Sequence, residues 1–151
     1  MTIRVGLVGF GLGGAVFHAP LIAATSGLSL EAIVTAHPTR VAQARERYPS
    51  ARGAPDVDAL LASADELDLV VVTTPNRSHL PIALGAVEAG LHVVMDKPIA
   101  SSSADARRLA SAAAGRGVML SVFQNRRWDG DFLTVRRLLD EGALGRVLRF
   151  E

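Results

Sequence analysis

Ile3-Arg4-Val5-Gly6-Leu7-Val8-Gly9-Phe10-Gly11-Leu12-Gly13-Gly14 decides how this chain folds. Ile3–Val8 is a short β-branched run of the kind that forms a buried strand. It ends in G-x-G-x-x-G at Gly9, Gly11 and Gly14. Helical spacing then begins at Ala15. Such a loop alone is often only a turn. Between a strand and a helix it has a specific use. The first glycine makes the tight turn and the second lets the backbone approach a pyrophosphate. The third lets helix and strand pack closely. The helix start adds free N–H groups and a positive dipole end. This context predicts a dinucleotide site made by Gly9, Phe10, Gly11, Leu12 and Gly14.

Outward from that turn, apolar and helical segments alternate. Leu28–Val34, Leu67–Thr73, His92–Met95, Val118–Phe123 and Arg146–Phe150 read as further strands. Ala15–Ala24, Arg40–Arg47, Asp56–Ala62, Leu80–Ala89, Ser103–Ala114 and Phe132–Glu141 read as helices. Near-continuous apolar strands alternating with helices predict an α/β fold: a doubly wound, mostly parallel Rossmann sheet with helices on both faces. Gly27, Gly90 and Gly117 stand where helices end. Ser101–Ser103 can cap the helix that follows. Pro20 predicts a kink or break near Phe17–Ala19.

Composition narrows the classes. The chain has 151 residues, 49% hydrophobic and 21% charged, with a net charge of +1. That balance gives no basic field for nucleic acid. With no cysteine, disulfides and thiolate metal sites are excluded. The four histidines lack metal-ligand spacing. No apolar run is long enough to cross a membrane, and the start lacks a signal-peptide pattern, so a cytoplasmic protein is expected.

A strand ending in a carboxylate would suit the ribose hydroxyls of NAD. Leu28–Val34 leads instead to Thr35-Ala36-His37-Pro38-Thr39-Arg40, and Glu31 lies in mid-strand. Thr35, His37 and Arg40 suit a 2′-phosphate, which favours NADP over NAD. The plainer alternative is that Arg40 is a solvated helix residue.

Ligands of open α/β sheets sit beyond the carboxyl ends of the strands. Polar clusters emerge there: Thr73-Thr74-Pro75-Asn76-Arg77-Ser78-His79, Asp96-Lys97-Pro98 and Gln124-Asn125-Arg126-Arg127-Trp128-Asp129. Lysine and arginine total 16, and Lys97 is the chain's single lysine. His79 reads equally as a helix-start cap or as a residue near the cofactor. His18 and Trp128 read as packing residues and His92 as structural. Arg107-Arg108 and Arg136-Arg137 read as solvated helix faces.

Gly9–Gly14, Thr74-Pro75 with His79, and His92–Pro98 together resemble the glucose–fructose oxidoreductase / inositol dehydrogenase / rhizopine catabolism family, Gfo/Idh/MocA. The resemblance covers the whole chain. Ser121–Leu139 is similar in particular to the branch that includes NADP-dependent scyllo-inositol dehydrogenases. The resemblance implies hydride transfer between a nicotinamide and a carbinol carbon of a sugar or cyclic polyol. It implies that Lys97, the lysine of the family's Glu-Lys-Pro motif, hydrogen-bonds the reacting oxygen and the nicotinamide ribose. Asp96 stands in for the glutamate with a shorter reach, and a cis bond before Pro98 would aim Lys97 into the crevice. Thr73, Thr74, Pro75 and Asn76 match the loop along the adenine-proximal ribose and pyrophosphate. Asn125 and Arg126 match the segment near nicotinamide and substrate.

The family also implies a C-terminal α/β domain that completes the site and forms a homo-oligomer. The expected division is 1–145 for the Rossmann domain and 146–151 for the first strand of that second domain. The relatives' aspartate–histidine pair is not found in this chain, so the chain alone is expected to bind cofactor and turn over poorly. The alternative function is a non-catalytic dinucleotide sensor, against which an intact Lys97 argues.

Overall fold

The computed structural model describes residues 2–149. Among them six strands form one sheet: β1 (Ile3–Val8), β2 (Leu28–Val34), β3 (Arg52–Ala54), β4 (Leu69–Val72), β5 (His92–Met95) and β6 (Leu120–Val122). Their order is β3-β2-β1-β4-β5-β6, and every neighbouring pair is parallel. This is the doubly wound sheet that the alternation predicts. A single row of paired residues crosses it near the carboxyl edge: Ala54, Val34, Val8, Val72, Met95 and Val122. The loops after β1, β2, β4 and β5 therefore leave the sheet side by side.

Helices cover both faces. A π-helical stretch, Gly13–His18, runs directly into α1 (Ala19–Ala24), and α2 is Pro38–Arg47. Both α1 and α2 pack with Val5, Leu7, Ile33 and Val71 on one face. On the other face α3 (Val57–Leu61), α4 (His79–Glu88) and α5 (Ser103–Arg116) pack on Val8, Val70, Val72 and Val93. Val5, Leu7 and Val8 of β1 are essentially solvent-free. Burying such side chains contributes about 1.5–3 kcal/mol each.

Local signals set the ends. Asp56 accepts from the Ala59 amide at 2.8 Å and starts α3. Ser102 accepts from the Asp105 amide at 3.1 Å and starts α5. Gly27, Gly90 and Gly117 all take positive φ. The break expected before Pro20 falls at His18/Ala19, where π winding gives way to α winding. At the sheet's amino edge, Arg4 donates Nη2–H to Asp68 Oδ1 at 2.9 Å and its backbone N–H to Oδ2 at 2.8 Å. These bonds hold the Asp68 carboxyl down at about 2.

The structure corrects several expectations. β3 carries no apolar run; it is an edge strand that pairs with Ala32–Val34 alone. The strands placed at Leu67–Thr73 and Val118–Phe123 shorten to β4 and β6. The strand expected at Arg146–Phe150 is not formed over 146–149, where no strand neighbour supplies a ladder. Phe150 and Glu151 lie outside the described residues. The last helix, α6 (Gly130–Asp140), buries none of its residues, and its Phe132, Leu133 and Leu139 are exposed. No described helix is long and apolar enough to cross a membrane.

Candidate functional site

The loops after β1, β2 and β4 enclose a cleft of about 570 Å³. Its walls include Gly9, Phe10 and Gly11 from the first loop, Thr35, His37 and Arg40 from the second, and Thr73, Thr74 and Pro75 from the third. These positions are far apart in sequence and meet because Val8, Val34 and Val72 lie in one row.

The glycine turn is built by close contact. Gly9 has φ +103° and donates its N–H to Val34 O at 2.9 Å. A Cβ on Gly14 would stand 2.1 Å from the Gly9 carbonyl oxygen. Thr73 locks the turn from β4, its hydroxyl donating to Gly9 O at 2.9 Å. Gly9 and Gly14 are thus required by the fold itself. Gly11 is different. A Cβ there would meet only Arg40 Nη1, at 3.8 Å. The chain gives no packing reason for that glycine, whereas a phosphate approaching the backbone would. Thr74 Oγ1 is buried in the same wall without a hydrogen-bond partner. Such an atom is costly unless a ligand or water supplies one. Both observations fit a dinucleotide phosphate.

No carboxylate lines the cleft. His37 precedes α2, and Arg40 lies in its first turn. The Arg40 guanidinium hangs over Gly11 with no ion-pair partner among the described residues.

Other expected site residues stand elsewhere. The Phe10 side chain is buried and packs edge-on against Tyr48 at 6.1 Å, so only its backbone faces the cleft. Leu12 is exposed, and Asn76 begins a 3-10 turn, Asn76–Ser78. Asp96 and Lys97 leave β5 beyond the cleft. Asp96 Oδ1 accepts from the Lys97 amide at 2.7 Å. Its Oδ2 packs against the Cα of Gly13, where a Cβ would come within 2.8 Å. The Lys97–Pro98 bond is cis, as anticipated. The Lys97 side chain is exposed and makes no hydrogen bond or ion pair among the described residues. Asn125 is half-buried in a 3-10 turn, Asn125–Trp128. Arg126 points to solvent and pairs with Asp129 at 2.7 Å.

Of His18, His79 and His92, only His79 departs from its sequence reading. His79 is 1% exposed; Nδ1 lies 2.9 Å from Pro98 O and Nε2 2.8 Å from Thr74 O. It is neither a cap nor a side chain open to a ligand, because a backbone carbonyl stands against each ring nitrogen. It ties the loop after β4 to the loop after β5. His92 accepts from the Met119 amide through Nδ1 at 3.0 Å, a structural role at the amino end of β6. His18 is 4% exposed and packs on Phe123 with ring centroids 4.3 Å apart. Burial lowers its pKa, opposed by the charge of Asp96. Trp128, expected to pack, is 78% exposed. No described group of His, Asp or Glu could hold a metal ion.

Comparison with known proteins accords with this geometry. Residues 3–124 match the model of an oxidoreductase family with an NAD-binding Rossmann fold. The chain is 46% identical over 150 residues to the uncharacterized oxidoreductase YdgJ of Escherichia coli (strain K12), covering 99% of this chain and 42% of that one. It is 38% identical over 143 residues to the scyllo-inositol 2-dehydrogenase (NADP(+)) IolW of Bacillus subtilis (strain 168), covering 95% and 39%. Among solved structures, GenD2 from gentamicin A biosynthesis, in complex with NAD, superposes with a TM-score of 0.85 at 32% identity, covering 94% and 40%. The chain spans about two fifths of the length of the relatives it matches.

Proposed function

The chain belongs to the Gfo/Idh/MocA oxidoreductase family, and from that premise we propose that its cleft holds NADP(H) for hydride exchange with a carbinol carbon of a sugar or cyclic polyol. When bound, the nicotinamide supplies the hydride-accepting or hydride-donating carbon. The observation that carries the reading is the cleft itself: a bare Gly11 beneath an unpaired Arg40, with no carboxylate on the wall.

The residues then divide the work. The amides from Gly11 onward and the start of the π-helical stretch face the pyrophosphate. Thr35, His37 and Arg40 hold the 2′-phosphate, with Arg40 supplying the charge-assisted bonds. Thr73, Thr74, Pro75 and Asn76 line the ribose and pyrophosphate path. His79 keeps that loop and the Asp96-Lys97-Pro98 loop at a fixed separation. Lys97 Nζ hydrogen-bonds the reacting oxygen and takes or returns its proton. Asn125 and Arg126 stand toward nicotinamide and substrate. Residues 1–145 constitute the dinucleotide domain. The relatives' greater length accords with a further domain that chooses the substrate and joins subunits. The cytoplasm is the compartment this reading expects.

Titration of the chain with NADP+ and NAD+ tests the cofactor. NADP+ should bind tighter, and Arg40→Ala should weaken NADP+ about 10- to 100-fold, the loss of one or two charge-assisted bonds. NAD+ affinity should hardly change. Tighter binding of NAD+ by the unaltered chain would overturn the NADP reading.

A further inference from the structure

His18 has a feature that packing does not explain. The residue is 4% exposed, and Nε2 is solvent-free without a hydrogen-bond partner. A buried imidazole nitrogen left unpaired is costly, and packing alone would be served as well by phenylalanine. The surroundings locate the missing partner. The ring lies against Phe123, just beyond β6, and within the electrostatic reach of Asp96, just beyond β5. Its own element is the π-helical stretch that starts at the glycine turn. π-Helical turns recur at functional sites because the wider winding displaces a side chain from its α-helical position.

The cleft fixes which end of a dinucleotide comes near. Thr35, His37 and Arg40 stand over β2, on one side of β1. A pyrophosphate on Gly11 then sends the other nucleoside over β4 and β5, about 10 Å further along the sheet edge at ordinary strand spacing. His18 lies on that side, outside the cleft lining and beside Phe123 and Asp96. Burial keeps the ring neutral, so it offers one N–H and one lone pair. A carboxamide carries an NH2 donor that the Nε2 lone pair can accept from.

We propose that His18 is a cofactor-binding residue whose Nε2 lone pair accepts a hydrogen bond from the carboxamide NH2 of the bound nicotinamide. This rests on reading the cleft as the dinucleotide site. The contact fixes the rotation of the nicotinamide ring, and with it the face turned toward Lys97.

A binding cycle tests it without turnover. The unaltered chain and His18→Phe, which keeps a ring against Phe123, are titrated with three ligands: NADP+, its 3-acetylpyridine analogue, and 2′-phospho-ADP-ribose, which has no nicotinamide. His18→Asn, a smaller polar substitution, is measured alongside. His18→Phe should weaken NADP+ about tenfold, the worth of one ordinary hydrogen bond. It should leave 2′-phospho-ADP-ribose unchanged and shrink the difference between carboxamide and acetyl ligands. His18→Asn should restore part of that difference. Equal loss for all three ligands, or no loss for any, would overturn the inference and leave the cleft reading standing. Failure of the unaltered chain to bind 2′-phospho-ADP-ribose would overturn the cleft reading first, and this inference with it. If His18→Phe does not fold, the unaltered chain still decides: equal affinity for NADP+ and its acetylpyridine analogue overturns the carboxamide bond.

Discussion

β1 and β6 belong to the same sheet, yet they are held in opposite ways. β1 has a parallel neighbour on each side and buries Val5, Leu7 and Val8 against helices on both faces. β6 pairs with β5 alone, and none of its residues is fully buried. Beyond it, α6 and Trp128 expose apolar surface. The contrast divides the candidate site. The side over β1, β2 and β4 is shaped by backbone fixed in the core, so its geometry is set by the chain's own folding. The side beyond β5 rests on a few side-chain contacts: His18 on Phe123, His79 between two loops, and Arg126 on Asp129.

A substitution in the glycine turn should do the most damage. Gly14→Ala places a methyl against the Gly9 carbonyl, which backbone must move to accept. It should cost about 3 kcal/mol or more, at or beyond the upper range for overpacking. Calorimetric melting should show a large loss of stability, and dinucleotide binding should vanish with it. A Gly14→Ala chain that melts like the unaltered one would mean that the turn is loose.

Core truncation sharpens the contrast next. Leu7→Ala in β1 should cost about 2–5 kcal/mol in urea unfolding. Leu139→Ala on exposed α6 should stay within about 0.5 kcal/mol. Equal costs would show that α6 is packed in solution.

The smallest effect is at the amino edge. Arg4 holds the Asp68 carboxyl down at about 2. A carboxylate whose folded pKa is depressed contributes stability above its unfolded pKa of about 4, and loses it as pH falls toward 2. Asp68→Asn should therefore lower the melting temperature only slightly at neutral pH, with the deficit shrinking below about pH 4. A deficit constant from pH 7 to pH 2 would assign it to packing rather than charge.

Much of this division is legible in the sequence because parallel strands covered on both faces are continuous apolar runs. β1, β2, β4 and β5 show that pattern; β3, with Arg52 and Gly53, does not, because an edge strand of three residues needs only backbone pairing. The glycine loop and the acid-free end of β2 are local features, and their residues do share one cleft. What spacing does not reveal comes from residues brought together only by folding. The π winding that follows Gly13 has no periodicity of its own to read at six residues. His79 finds Pro98 nineteen positions away, and His18 meets Phe123 across the sheet. Arg146–Phe150 has the composition of a strand, but composition does not supply a neighbour.

On the proposed reading, a phosphate comes to rest where Gly11 has no side chain. Gly11→Ala tests it, because the added methyl meets nothing in the chain closer than the end of Arg40, at 3.8 Å. Melting temperature and NADP+ affinity should be measured on the same preparation. The melting temperature should be nearly unchanged and the affinity at least about tenfold weaker, since the methyl keeps the phosphate off the amides. Unchanged affinity in a stably folded Gly11→Ala chain would contradict it.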